Sequence, residues 1–267
     1  MMRQEIERKF VHRISKGSRF NQIYIPREIE SEFEVGDIVE VRILEKKNHL
    51  YYSNNLKKLS EFKEKIISDI FKILTKNKKI EQIIVFGSFL TKEIDYRDID
   101  IIIFGEEEDE EYLYHELTKK LKLKFHIISA RKDSFQKTLE ICPVTRNMVY
   151  HFVSNKEFQV TNKIRIDENH LKYLLMMPED LLRVKLDGGE VYYNSLRKLV
   201  TIEHFLKRSE IAPDKIDDEL HKLIDKDRLD MLKNDWKIEG KFLKFIRKII
   251  KSKLNTIYET IENGKKR

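Results

Sequence analysis

The stretch FGSFLTKEIDYRDIDIIIF, Phe86 to Phe104, holds two aspartates, Asp98 and Asp100, inside an otherwise apolar run. A carboxylate in a sheet gives up hydration that only a cation or hydrogen-bond donors can replace. Side chains alternate across a strand, so Asp98 and Asp100 share one face and Ile99 takes the other. Two carboxylates on one face suit Mg²⁺, a hard ion that prefers oxygen ligands and also takes up phosphate oxygens. Just upstream, Ile80 to Phe86 reads as a buried strand that runs into Gly87-Ser88. Glycine lets the backbone come close to a phosphate, and Ser88 offers both an N–H and a hydroxyl. A helix starting here would add its N-terminal field for an anion.

This order of strand, Gly-Ser, nine intervening residues (89 to 97), D-x-D and strand resembles the minimal nucleotidyltransferases of the DNA polymerase beta-like superfamily. The resemblance implies transfer of a nucleoside monophosphate from an NTP, with ATP the expected one, to an acceptor hydroxyl or similar nucleophile. It also implies Mg²⁺ or Mn²⁺ held by Asp98 and Asp100, and phosphate held by Gly87 and Ser88. That family usually adds a third carboxylate on the following strand, expected here over Leu123 to Ser129. The position falls on His126, which is expected to act as substitute base or third-position residue. Two further departures are Arg97, where a small residue commonly precedes D-x-D, and a loop without the second glycine often found there. Lys92, in that loop, reads as a surface lysine.

Around this unit, Phe62, Ile66, Ile67, Ile70, Phe71, Ile73 and Leu74 recur at helical spacing and predict an amphipathic helix over 60–75. The acidic run Glu106 to Glu111 predicts the solvated first turns of a helix reaching Leu121, because carboxylates suit a helix N-terminus. His115 on that helix reads as a surface residue.

The first part of the chain is strand-rich, with alternation over Ile38 to Leu44 and turn signals at Lys16-Gly17-Ser18 and Val35-Gly36-Asp37. Pro26 suits the first turn of a helix after a strand. The run Ile23-Tyr24-Ile25-Pro26-Arg27-Glu28-Ile29, then Val35-Gly36-Asp37, then Ile38 to Leu44, resembles the AbrB-type swapped-hairpin DNA-binding family over roughly residues 12–45. The resemblance implies two chains interlacing their hairpins into one small barrel, hence a homodimer. Arg8, Lys9, Arg13, Lys16, Arg19 and Arg27 supply cations for phosphate contacts with DNA; structured RNA is the alternative partner.

Beyond residue 161 the pattern is helical throughout. Tyr192, Tyr193, Leu196, Leu199, Val200, Phe205 and Leu206 form a core stripe, and further helices are expected near Ile216–Ile224 and Gly240–Ile261. Phe242, Phe245, Ile246, Ile249 and Ile250 predict a packed stripe on the last helix, with Lys241, Lys244, Arg247, Lys248, Lys251 and Lys253 on a solvated basic face. Arg197 and His204 are similar in spacing to the arginine–histidine motif of HEPN-type ribonucleases. Lys198 and the flanking residues depart from that motif, so the pair reads as ordinary helix surface.

With 267 residues, 40% of them hydrophobic, the chain has room for two or three domains with buried cores. The reading is an α+β multidomain protein: a swapped-hairpin β-module at 1–54, a nucleotidyltransferase-fold mixed sheet with helices at 56–160, and a helical domain at 161–267. No apolar run approaches the ~18 residues that span a bilayer, the start is charged rather than signal-like, and one cysteine, Cys142, forms no internal disulfide. A cytoplasmic location is expected. The net charge of +7 permits nucleic-acid binding without requiring it. Two functions follow. One is a nucleotidyltransferase with a DNA-binding module, acting on a protein or RNA acceptor. The other is a DNA-binding transcriptional regulator whose nucleotidyltransferase domain is degenerate and senses nucleotide or is structural.

Overall fold

A computed structural model describes residues 10–42, 49–56, 58–91, 96–106, 109–184, 186, 188–238 and 240–264. The chain divides into two compact units, residues 1–47 and residues 48–267.

In the first unit, β1 (Ser15–Lys16) pairs antiparallel with β2 (Asn21–Gln22). The hairpin closes where the Gly17 N–H donates to the Phe20 carbonyl at 2.9 Å. Pro26 precedes a short 3₁₀ helix, Arg27–Glu32, as the fixed φ of proline favours. The Gly36-Asp37 turn is held by the Glu34 N–H on Asp37 Oδ2 at 2.8 Å. The strand expected over Ile38–Leu44 does not form across the described residues 38–42; residues 43 and 44 lie outside the described residues. Ile38, Val39 and Val41 are exposed instead. Alternation specifies a strand only where a neighbouring strand completes its ladder and covers its apolar face. None of the described residues 10–42 is buried.

The second unit is built on a five-stranded mixed sheet. Its elements begin with β3 (Tyr51–Tyr52), α1 (Glu61–Leu74), β4 (Ile80–Phe86), β5 (Ile99–Gly105), α2 (Glu110–Leu121) and β6 (Phe125–Ala130). They continue with α3 (Lys132–Ile141), α4 (Pro143–Met148), β7 (Phe152–Ser154), α5 (Glu168–Arg183), α6 (Gly189–Leu206), α7 (Pro213–Leu223), α8 (Lys226–Lys233) and α9 (Gly240–Gly264). The sheet order is β3-β7-β4-β5-β6. Only the β5–β6 pair is parallel, and α2 makes the crossover such a pair needs. Tyr51–Tyr52, read from sequence with the first segment, instead form an edge strand on β7.

Alternation divides the sheet's side chains between two apolar layers. Ile83, Val85, Ile99, Ile101, Ile103 and Val153 pack with α1 and α2, whereas Ile84, Phe86, Ile102, Phe104 and Phe152 pack with α3 and Phe158. A third core joins α5 to α9.

Helix boundaries follow their caps. Ser60 caps α1 through the Lys63 N–H, and Asp109 caps α2 by accepting from the Glu111 and Tyr112 N–H groups. The α2 helix therefore starts at Glu110 rather than Glu106, and part of the acidic run (107, 108) lies outside the described residues. His115 is exposed, beside Glu111, as the sequence indicates. Phe62, expected in the α1 stripe, is 65% exposed; the core begins at Ile66, since periodicity buries a side chain only where a partner covers it.

On α9 the buried stripe is Leu243, Ile246, Ile250, Leu254, Ile257 and Ile261, and Phe245 stands exposed. Lys253 leaves the expected basic face to pair with Glu203 at 2.7 Å and Glu219 at 2.9 Å. Arg197 and His204 are not open surface either. Arg197 faces Asp217 at 3.8 Å, and His204 Nε2 lies 2.8 Å from Glu219 Oε2. These charges occupy the α6–α7–α9 junction because their carboxylate partners come from packed helices that sequence spacing alone does not relate.

Candidate active site

Strand β4 delivers its last residue, Phe86, beside Asp100 of β5. Gly87 then turns the chain with φ +83°, a conformation that glycine adopts without a Cβ penalty. A Cβ at Gly87 would lie 2.1 Å from Asp100 Oδ2, so the glycine backbone packs directly on the carboxylate. Ser88 opens a 3₁₀ turn, Ser88–Leu90, rather than a long helix. This turn is fastened from α1. Lys63 Nζ donates to the Thr91 carbonyl at 2.7 Å and lies over the Phe89 and Tyr96 rings.

Asp98 stands just before β5 rather than within it, and Asp100 is the strand's second residue. Both are half-buried, and Ile99 between them is fully buried, as alternation requires. Burial pushes the Asp100 carboxyl above its usual range; the His126 hydrogen bond opposes this and the charge of Asp98 adds to it. The parallel register sets His126 of β6 opposite Asp100, and His126 Nδ1 lies 3.1 Å from Asp100 Oδ1. Thus Gly87, Asp98, Asp100 and His126 converge at one edge of the sheet, with Ser88 next in chain.

The donor set fits a magnesium ion. Mg²⁺ uses one or two carboxylates and fills its other positions with water and substrate phosphate oxygens. Asp98 and Asp100 supply hard oxygen donors, and a cation would relieve the cost of the half-buried charge on Asp100. Among the described residues no group of three His, Cys, Asp or Glu forms a fuller metal cluster. His126, with a nitrogen donor, suits magnesium poorly as a ligand.

Arg97, exposed beside Asp98, lies 3.5 Å from Glu190 in the first turn of α6, a contact that spacing gives no hint of. Lys92 lies outside the described residues. In the N-terminal unit, Arg13, Lys16, Arg19 and Arg27 are exposed around the β1–β2 hairpin and the 3₁₀ helix. Arg8 and Lys9 lie outside the described residues.

With this geometry in place, comparison with protein families is informative. The model of the polymerase beta nucleotidyltransferase family matches residues 68–142. Those residues include Gly87, Ser88, Asp98, Asp100 and His126, and form a nucleotidyltransferase-type domain within the longer chain. None of the curated proteins matches the chain. Among the described residues no helix is long and apolar enough to cross a membrane.

Proposed function

We propose that the protein transfers a nucleoside monophosphate from a magnesium- or manganese-bound NTP, such as ATP, to a nucleophile on a protein or RNA acceptor. The observation that carries this reading is the packing of Gly87, at φ +83°, on the Asp100 carboxylate, inside a segment that matches a nucleotidyltransferase family. Asp98 and Asp100 would hold the metal, and the Gly87-Ser88 turn would take the triphosphate. When bound, the metal neutralises phosphate charge and stabilises the attacking and leaving oxygens. The chain's own groups do the rest. The Ser88 N–H and hydroxyl orient the phosphates, Lys63 keeps the turn in place, and His126 holds Asp100 and stands within reach of an acceptor proton.

The test uses purified protein with α-labelled ATP, Mg²⁺ or Mn²⁺, and protein or RNA acceptors. Wild type is expected to transfer label, and Asp98→Ala to lose at least about 10²-fold in rate, on the scale of removing an electrostatic stabiliser of the transition state. Transfer that Asp98→Ala leaves intact would sink the proposal.

The His126–Asp100 contact favours a second reading. A histidine in place of a third acid suits a domain that binds nucleotide as a sensor while the N-terminal unit binds DNA. Nucleotide binding without label transfer, together with salt-dependent DNA binding that Asp98→Ala leaves unchanged, identifies that case. Both readings use the N-terminal unit as a DNA-binding module paired with a second copy. The exposed cations Arg13, Lys16, Arg19 and Arg27 support the first part, and the exposed apolar residues Phe20, Ile38 and Val41 support the second.

A further inference from the structure

A cavity of about 640 Å³ opens between the β3–β7 edge of the sheet and the helices that follow, well within the roughly 300–1,000 Å³ of small-molecule sites. Its wall is formed by Tyr51 to Asn55, by parts of the 146–164 segment and by Ser209 to Ile211. All of these lie outside the residues 68–142 that match the nucleotidyltransferase family.

The charged side chains of the wall are already engaged. Arg146 donates to the carbonyls of Leu139 at 2.8 Å, Lys163 at 2.9 Å and Thr161 at 2.9 Å. Glu157 accepts from the Gln159 amide at 3.1 Å, and Glu210 is taken by Tyr150 and Lys215. By contrast, the side-chain amides of Asn54, Asn55 and Asn162 make no hydrogen bond to the described residues. Beside them stand the aromatic rings of Tyr51, Phe152 and Phe158. A carboxamide carries both donors and an acceptor, the complement of an uncharged heterocycle with mixed edges. Aromatic rings add stacking surface for such a plane, worth ~1–3 kcal/mol for a base.

The sheet register connects this cavity to the candidate active site. Asp100 is paired with Phe86, Phe86 with Phe152, and Asp100 with His126 on the other side. Ser53 closes the same row, its N–H donating to the Phe152 carbonyl at 2.9 Å and its hydroxyl accepting from the Phe152 N–H at 3.1 Å. Directly paired residues share a face, so His126, Asp100, Phe86 and Phe152 form one transverse row. Two strand spacings separate Phe152 from Asp100, roughly 10 Å. That is a nucleoside's length, from base to sugar-borne oxygens.

We infer that the cavity is a nucleobase subsite, which seats the base of a substrate so that its sugar or phosphate end lies over Phe86 at the two aspartates. This deepens the proposed nucleotidyl transfer and rests on that reading for the reaction, though not for the binding. The base belongs either to the NTP donor or to the terminal nucleotide of an acceptor, and the chemistry of recognition is the same.

Photolabelling of the full chain with 8-azidoadenosine, which lacks phosphate, followed by peptide mapping, tests it. Label is expected in peptides spanning 51–55 or 149–164. The double variant Asn54→Ala/Asn162→Ala and the single variant Tyr51→Ala, all at exposed positions, are expected to weaken adenosine binding by about tenfold each, given the stacking and hydrogen-bond terms. Protection by ATP assigns the base to the donor; protection by a short oligoribonucleotide but not by ATP assigns it to the acceptor, and both support the inference. Label elsewhere, or variants that bind adenosine as wild type does, overturn it. The transfer assay on the same preparations separates the two claims. Transfer with no labelling of the cavity removes this inference alone, and labelling with no transfer by wild type removes the reaction alone.

Discussion

Lys253→Met is expected to destabilise the protein by about 3 kcal/mol or more, the range for breaking a buried ion pair by removing one partner. The size follows from what is left behind. The Glu203 side chain is 5% exposed and Lys253 Nζ lies 2.7 Å from it, with Lys207 more distant at 3.9 Å. Glu219 would lose one of two cations and keep only His204. Urea denaturation of variant and wild type at neutral pH measures the difference, and a loss under 1 kcal/mol would refute this account.

The pair also fixes a pH response. Burial pulls the Lys253 ammonium down, but hydrogen bonds to Glu203 and Glu219 outweigh it and hold the group above its ordinary value. Its contribution is therefore complete below that ordinary value and is lost as pH rises through the raised one. Burial pushes the Glu219 carboxyl up, but hydrogen bonds from Lys253 and His204 hold it below its ordinary value. Its contribution is present above the ordinary carboxylate value and is lost as pH falls through the lowered one. The wild-type stability profile is expected to fall at both ends, and Lys253→Met to flatten the alkaline limb.

Gly87→Ala is expected to abolish transfer, by at least about 10²-fold, on the scale of a mis-set catalytic geometry. Two causes act together. The residue sits at φ +83°, where an L side chain is strained, and the new methyl group would meet Asp100 Oδ2 at 2.1 Å. Strain of this kind costs ~1–3 kcal/mol, so the variant is expected to fold with reduced stability. Single-turnover kinetics with labelled ATP separates lost chemistry from lost binding. Near wild-type rates would show that the turn and the aspartate move independently.

The candidate site was readable in sequence because its parts are local or follow one alternation. Strand, Gly-Ser and D-x-D are consecutive, and placing His126 opposite Asp100 needed only the position of the next strand. Harder features depended on partners remote in the chain. The α6–α7–α9 charge cluster joins residues up to 50 apart, from Glu203 to Lys253. Likewise Arg97 meets Glu190 across 93 positions. The aromatic core stripe of α6 was legible because helical spacing reports a buried face, but Phe62 and Phe245 show that the same spacing does not say how far the cover extends. At Ile38 to Val41 a correct alternation met no neighbouring strand, and a ladder cannot be read from one of its sides.

The want of any buried side chain in residues 10–42 has a consequence in mass action. Segment 48–267 carries its own cores, so its folding is indifferent to dilution. A hairpin unit that finds cover only in a second copy obeys a bimolecular law: its ordered fraction rises with protein concentration. Occupancy of DNA by the paired state then climbs more steeply than in proportion to the amount of protein in a cell. Reaction at Asp98 and Asp100 would rise only linearly with that amount.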